Sequence, residues 1–331
     1  MRSELSTPFP PRVSPDVERA RTHGLAWARR TGLVSSRRSA DYWEAAAFHE
    51  HAALYWPYAV GEDADLATDL MTFYFYIDDQ FDTALGRSAG DAAGVIDPLC
   101  AITFTEGTTD STAPLAVAFA DLWRRIIPPM STAWRQRAGR NWRDYLTGYV
   151  TESATRSHRF AFDDADLYLA HRRLALGAET STDLIERFGN CEVPLPLFNC
   201  PHLLAMRRLS CDWLLYANDL HSADKEAAHG EVNNMIAVTR RREDCSLPEA
   251  TALVRQRADR MMDRFRELEQ QIPAVVGAFP DPGYPRIAEH YIAGLKAGMA
   301  GYNAWGDTTA RYDLVGTDVA LAHLEDLTTD R

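Results

Sequence analysis

Residues 70–82 read LMTFYFYIDDQFD, and residues 211–226 read CDWLLYANDLHSADKE. In each, a stretch that is apolar almost all round runs into clustered carboxylates or amides. A helix without a polar face is buried on both sides or lines a cavity. In the first stretch Asp78 and Asp82 fall one helical turn apart on the same face, with Asp79 beside them. Like charges packed there cost stability unless a cation sits between them. Hard oxygen donors without thiols or paired histidines favour Mg²⁺ over zinc. In the second stretch Asn218, Ser222 and Glu226 recur at every fourth residue and form one stripe. An amide oxygen, a hydroxyl and a carboxylate suit a magnesium ion that keeps waters and shares phosphate oxygens.

Two such stripes facing each other imply a polyanion between them, because all-protein Mg²⁺ cages are uncommon. Diphosphate is the natural candidate, and it needs cationic donors. The candidates are Arg172, Arg173, Lys225 and Arg311. The apolar walls suggest that the other half of the ligand is a hydrocarbon. Tyr74 and Phe75 lie one turn before Asp78, and Trp305 lies six residues before Arg311. Their ring faces can stabilise a carbocation by ~0.5–2 kcal/mol each.

The rest of the chain reads as helix. Apolar residues at three- and four-residue spacing predict helices over 16–31, 39–57, 64–87, 113–126, 131–153, 164–175, 180–189, 203–226, 247–272 and 284–304. Breaks are expected at Pro57, Gly86 to Gly94, Pro128-Pro129, Gly177, Pro194 to Pro196 and the FPDPGYP run at 279–285. Hairpin signals are missing, so the fold class is all-α: one helical bundle domain over 1–331 around an apolar cavity. Residues 1–15 read as an extended arm and 313–331 as a mobile tail.

Composition narrows the function classes. The 331 residues are 46% hydrophobic and 25% charged, which rules out a disordered chain. A net charge of −12 disfavours wholesale binding to nucleic acid or anionic membrane. No apolar run is long enough to span a membrane, and no signal core opens the chain, so a cytoplasmic location is expected. Five cysteines without CxxC spacing read as reduced thiols.

The motifs DDQFD at 78–82, RRLALG at 172–177, NDLHSADKE at 218–226 and WGDTTARY at 305–312, in this order and spacing, resemble a bacterial class I terpene synthase. The CEVP segment at 191–194 also resembles that family. The resemblance implies a Mg²⁺-dependent terpene cyclase with three ions. It would ionise an isoprenyl diphosphate, farnesyl diphosphate first and geranylgeranyl diphosphate next. It maps metal ligands onto Asp78, Asp79, Asp82, Asn218, Ser222 and Glu226, and a diphosphate contact onto Lys225. It makes Arg173 the diphosphate-sensing arginine, with Arg172 as fallback. Leu176 then takes the linker position, and Gly177 the effector position, its carbonyl near the departing group. Arg311 and Tyr312 become the pair that grips diphosphate on closure, and closure is expected to order a loop at 223–233. Tyr74, Phe75 and Tyr76 depart from the family's more Trp-rich pattern, which leaves pocket shape and product open. A homodimer, common in the family, has no sequence mark.

Three rivals stand beside this reading. A chain-elongating prenyltransferase would want a second aspartate-rich motif where Asn/Ser/Glu stands. A His-Asp phosphohydrolase needs a dyad the chain lacks, although His49 and His51 are present. A non-catalytic isoprenoid carrier would bind without Mg²⁺ and release no diphosphate.

Overall fold

The computed structural model describes residues 5–228, 230–312 and 325–330. Among them there is no strand, and fourteen α-helices carry the fold. The first four are α1 (Val17–Arg30), α2 (Arg37–Ala46), α3 (Phe48–Tyr55) and α4 (Glu62–Phe81). Next come α5 (Ala89–Ile102), α6 (Pro114–Ile126), α7 (Thr132–Ser157), α8 (Ala165–Ala175) and α9 (Ala178–Phe188). The short α10 (Leu195–Phe198) precedes α11 (Pro201–Ala228), α12 (Met235–Glu243), α13 (Leu247–Val276) and α14 (Tyr284–Gly306). The helix α4 is buried along nearly its whole length, from Ala64 to Phe81. It packs on α1, α3 and α6, while α11 packs on α13, α14 and α12. All eight tryptophans are buried in the core.

Several expected boundaries shift for local reasons. The segment expected as one helix over 39–57 is two, because Ala47 adopts a left-handed conformation with φ 54°. The helix expected over 64–87 stops at Phe81, and the chain turns into a 3₁₀ segment at Ala84–Arg87. Gly86 sits so close to the Phe81 carbonyl that a Cβ there would lie 1.8 Å from its oxygen. The expected break at Gly86 to Gly94 is therefore short. Ser88 accepts a hydrogen bond from the Asp91 amide and caps α5, which runs through both Gly90 and Gly94. Helix α11 continues to Ala228, so the first half of the loop expected at 223–233 is helical.

Described segments near both ends pack against the bundle. Ser14 donates to the Ala59 carbonyl, and Asn303 donates to the Leu5 carbonyl. The mobile tail expected over 313–331 lies largely outside the described residues, but 325–330 is packed. Leu327 is buried and its carbonyl accepts from the Leu115 amide. Asp330 accepts from the Thr112 and Ala113 amides at the start of α6.

Candidate active site

One cavity, with about 1510 Å³ of empty space including its mouth, opens between α3, α4, α7, α8, α11 and α14. Both sequence stripes reach it. On α4 the residues Met71, Tyr74, Phe75 and Asp78, with Asp82 at its C-terminal cap, line it in succession, and on α11 Leu214, Asn218, Ser222 and Glu226 do the same. Each metal-type stripe is thus the outer end of a row that continues inward as hydrocarbon. Tyr145 and Tyr149 on α7, His51 and Tyr55 on α3, and Tyr302 on α14 complete the aromatic wall. These were not singled out from sequence, although the four-residue spacing of Tyr145 with Tyr149 and of His51 with Tyr55 is the same signal.

Asp78, Asp79 and Asp82 each offer an oxygen within 4.8 Å of the others. Arg311 braces two of them, with Nη2 donating to Asp78 Oδ2 at 2.9 Å and Nη1 to Asp79 at 2.7 Å. Tyr42 donates to Asp79 Oδ2 at 2.6 Å. Lys225 reaches across from α11 to Asp82 Oδ2 at 2.8 Å, which places the two motifs on opposite sides of one opening. Burial alone would push the Asp82 carboxyl up, but the Lys225 ammonium outweighs it and holds Asp82 below its usual range. On the facing stripe, Ser222 donates to Glu226 Oε1 at 2.7 Å and Asn234 to Oε2 at 2.8 Å. Burial and the nearby Asp219 push the Glu226 carboxyl up to about 7. These hard oxygens, clustered and stabilised only by protein donors, fit divalent cations of the Mg²⁺ type.

The mouth is cationic in an otherwise acidic protein. Six basic side chains line the cavity, Arg87, Arg156, Arg159, Arg172, Lys225 and Arg311, against four carboxylates. Of these, Arg87, Arg156 and Arg159 were missed from sequence, because they belong to no recognised motif and only folding brings Arg87 beside the end of α7.

The remaining residues expected at the site are spread between the cavity wall and its surroundings. Arg173, expected as the diphosphate sensor, is turned away from the cavity. Its guanidinium makes a two-pronged pair with Asp212, at 2.6 and 2.8 Å. Arg172, the fallback, lines the cavity and donates to Asn218 Oδ1 at 3.0 Å and to Glu152 at 2.9 Å. Gly177 takes the left-handed conformation at the break between α8 and α9, with φ 72°. Its carbonyl is drawn into α9, where it accepts from Thr180 and Ser181. Leu176 and Ala178, not Gly177, form the wall there. Trp305 is fully buried behind the wall, stacked on His51 at 4.2 Å. Tyr74 and Phe75 do line the cavity; Tyr74 stacks on Trp142 at 5.2 Å, and the Arg311 guanidinium lies over the Phe75 ring at 4.7 Å. Tyr312 lines it too, sharing a hydrogen bond with Tyr302 at 3.0 Å.

An all-α bundle that holds clustered oxygen donors over an aromatic cavity defines a class of divalent-metal enzyme acting on polyanionic, part-hydrocarbon ligands. Residues 69–264 match the family model described as terpene synthase family 2, C-terminal metal binding. Pentalenene synthase of Streptomyces avermitilis is 36% identical over 322 residues, covering 96% of this chain and 94% of the relative. A (-)-beta-caryophyllene synthase of Saccharothrix espanaensis, named as (2E,6E)-farnesyl diphosphate cyclizing, is 32% identical over 92% of this chain and 87% of its own length. The crystal structure of germacradien-4-ol synthase from Streptomyces citricolor superposes with a TM-score of 0.82 at 36% identity, covering 93% of this chain and 99% of that chain. The chain belongs to the bacterial class I terpene synthases. It is accordingly a terpene cyclase, a carbon–oxygen lyase acting on phosphates, and uses divalent metal. No helix among the described residues is long and apolar enough to cross a membrane.

Proposed function

We propose that the enzyme ionises farnesyl diphosphate and cyclises the resulting cation, with Asp78, Asp79, Asp82, Asn218, Ser222 and Glu226 holding three Mg²⁺ ions. The observation that carries this reading is the meeting of two oxygen-donor stripes across the mouth of one aromatic cavity, bridged by Lys225 and Asp82. The name of the caryophyllene synthase, a farnesyl diphosphate cyclase, supports the C15 substrate. When bound, the divalent cations neutralise diphosphate charge and make it a better leaving group.

The chain supplies the rest. Arg172, Lys225, Arg311 and Tyr312 line the mouth, where they can donate to diphosphate oxygens. Arg172 takes the sensing role expected of Arg173, because only Arg172 reaches both the cavity and Asn218. Arg311 spans Asp78 and Asp79 and lies over Phe75, so it links the diphosphate end to the hydrocarbon wall. The ring faces of Tyr74 and Phe75 stabilise cationic carbon by ~0.5–2 kcal/mol each. No protein nucleophile is required, since the substrate's own double bonds attack the cation while the wall fixes its shape and excludes water.

The test is incubation of the full chain with the C10, C15 and C20 diphosphates, with and without Mg²⁺, with products read by gas chromatography and mass spectrometry. Mg²⁺-dependent cyclic products from the C15 diphosphate are expected. Chain elongation when isopentenyl diphosphate is added, or no diphosphate release from any substrate, would overturn the reading.

A further inference from the structure

The polar groups lining the cavity are almost all engaged. Tyr74 pairs with Thr180, Tyr145 with Tyr149, Tyr302 with Tyr312, and Ser181 donates to the Gly177 carbonyl. At the mouth, Asp78, Asp82 and Glu231 are each held by a cation. His51 stands apart. Its ring forms part of the cavity wall, the residue is 2% exposed, and neither Nδ1 nor Nε2 has a hydrogen-bond partner. Four rings pack against it: Trp305 stacked at 4.2 Å and 5°, Phe75 tilted at 5.6 Å, and Tyr302 and Tyr55 edge-on at 5.4 and 5.9 Å. Burial lowers its pKa to about 3, so the imidazole is neutral near neutral pH. A neutral imidazole carries one N–H and one basic lone pair. Leaving a buried polar group unmet costs about 1–3 kcal/mol, a cost with no structural return in an apolar wall.

We propose that His51 is the base that ends the carbocation cascade. The C–H bond beside the final cationic carbon breaks, its electron pair becomes the new C=C bond, and the proton goes to the unprotonated imidazole nitrogen. A weak base suffices because a C–H bond next to a cationic carbon is a very strong acid. A neutral base does not repel the cation before it acts. The imidazolium that results lies flat on Trp305, which favours it through the ring quadrupole. Its low proton affinity then lets it return the proton to water once the site opens. This rests on the reading of the chain as a cyclase of an isoprenyl diphosphate.

The test compares wild type, His51→Phe and His51→Gln with farnesyl diphosphate and Mg²⁺, measuring released diphosphate and product in parallel. Phenylalanine keeps a flat ring on Trp305 without the nitrogens; glutamine keeps hydrogen bonding without the basicity. In both variants the yield of wild-type olefin per diphosphate released should fall about tenfold or more, with earlier-quenched or water-trapped products taking its place. The wild-type olefin at the wild-type ratio from His51→Phe would show the nitrogens to be dispensable, and from His51→Gln that polarity suffices. Either result overturns the proposal. So does a wild-type product whose last cation has been quenched by oxygen from ¹⁸O-labelled water, a measurement that needs no variant. Wild type that releases no diphosphate at all refutes the cyclase reading instead.

Discussion

Arg172 and Arg173 follow one another at the end of α8, and a helical step of about 100° sends them to different chemistry. Arg173 is 28% exposed at its side chain and spends its charge on Asp212. Arg172 is 13% exposed and bridges Glu152 to Asn218 beneath the mouth. Arg172→Ala should therefore cut diphosphate release by roughly a hundredfold, as loss of a charge-stabilising donor does. Arg173→Ala should stay within about tenfold of wild type. Steady-state release assays decide it, and a reversed order would restore Arg173 as the sensor. His51 gives a pH prediction. Its folded pKa, about 3, lies below the unfolded value near 6.5. Its contribution to stability is thus full above about pH 6.5 and is lost as the pH falls, because only the unfolded chain takes up the proton. Between about pH 7.5 and pH 5 this amounts to about 2 kcal/mol. Urea titrations should show wild type losing about that much relative to His51→Phe over this range; an unchanged difference would mean that His51 protonates in the folded protein.

Helix junctions decide where these side chains point. Ala47 turns the chain between α2 and α3 in a left-handed conformation that costs an L-residue about 1 kcal/mol. Ala47→Gly should raise the stability by about 0.5–1 kcal/mol, read by thermal or urea unfolding. A loss of stability would show that the methyl group packs usefully. Helix α14 approaches α3 closely through Gly301, where an added Cβ would lie 2.3 Å from the Leu54 carbonyl oxygen. Gly301→Ala should cost about 1–3 kcal/mol and disturb the wall that α3 and α14 share, seen as a lower melting temperature. An unaltered melt would mean that the two helices slide apart without penalty.

Across the molecule, the mouth is neutralised by its own cations. Arg311 and Lys225 hold the three aspartates, and Ser222 and Asn234 hold Glu226. A divalent metal alone must displace those cations, and a polyanion alone must draw them off the carboxylates. Together, the metal would be held by the carboxylates and the anion by the arginines and lysine. Mg²⁺ with inorganic diphosphate should therefore raise the melting temperature by roughly 5 °C or more, and by more than the sum of the separate shifts. Equal shifts from diphosphate alone would remove the metal from the interaction.

The all-α architecture and both oxygen-donor stripes were legible before any coordinates, because helical periodicity is local. Asp78 with Asp82, and Asn218 with Ser222 and Glu226, share a face by spacing alone. Even the inward continuation of each stripe, from Asp78 back to Met71 and from Asn218 back to Leu214, follows from the same period. Boundaries were less legible where local preference was overridden, as at Ala47 and through Gly90 and Gly94. What spacing leaves open is which of two adjacent arginines meets the cavity and which aromatic stands in front of another. Arg172 faces Asn218 and Trp305 lies behind His51 because α8, α11, α3 and α14 are oriented by packing between residues far apart in the chain. The unpartnered imidazole of His51 is likewise a property of its neighbours, since only folding packs four rings from α3, α4 and α14 against a histidine.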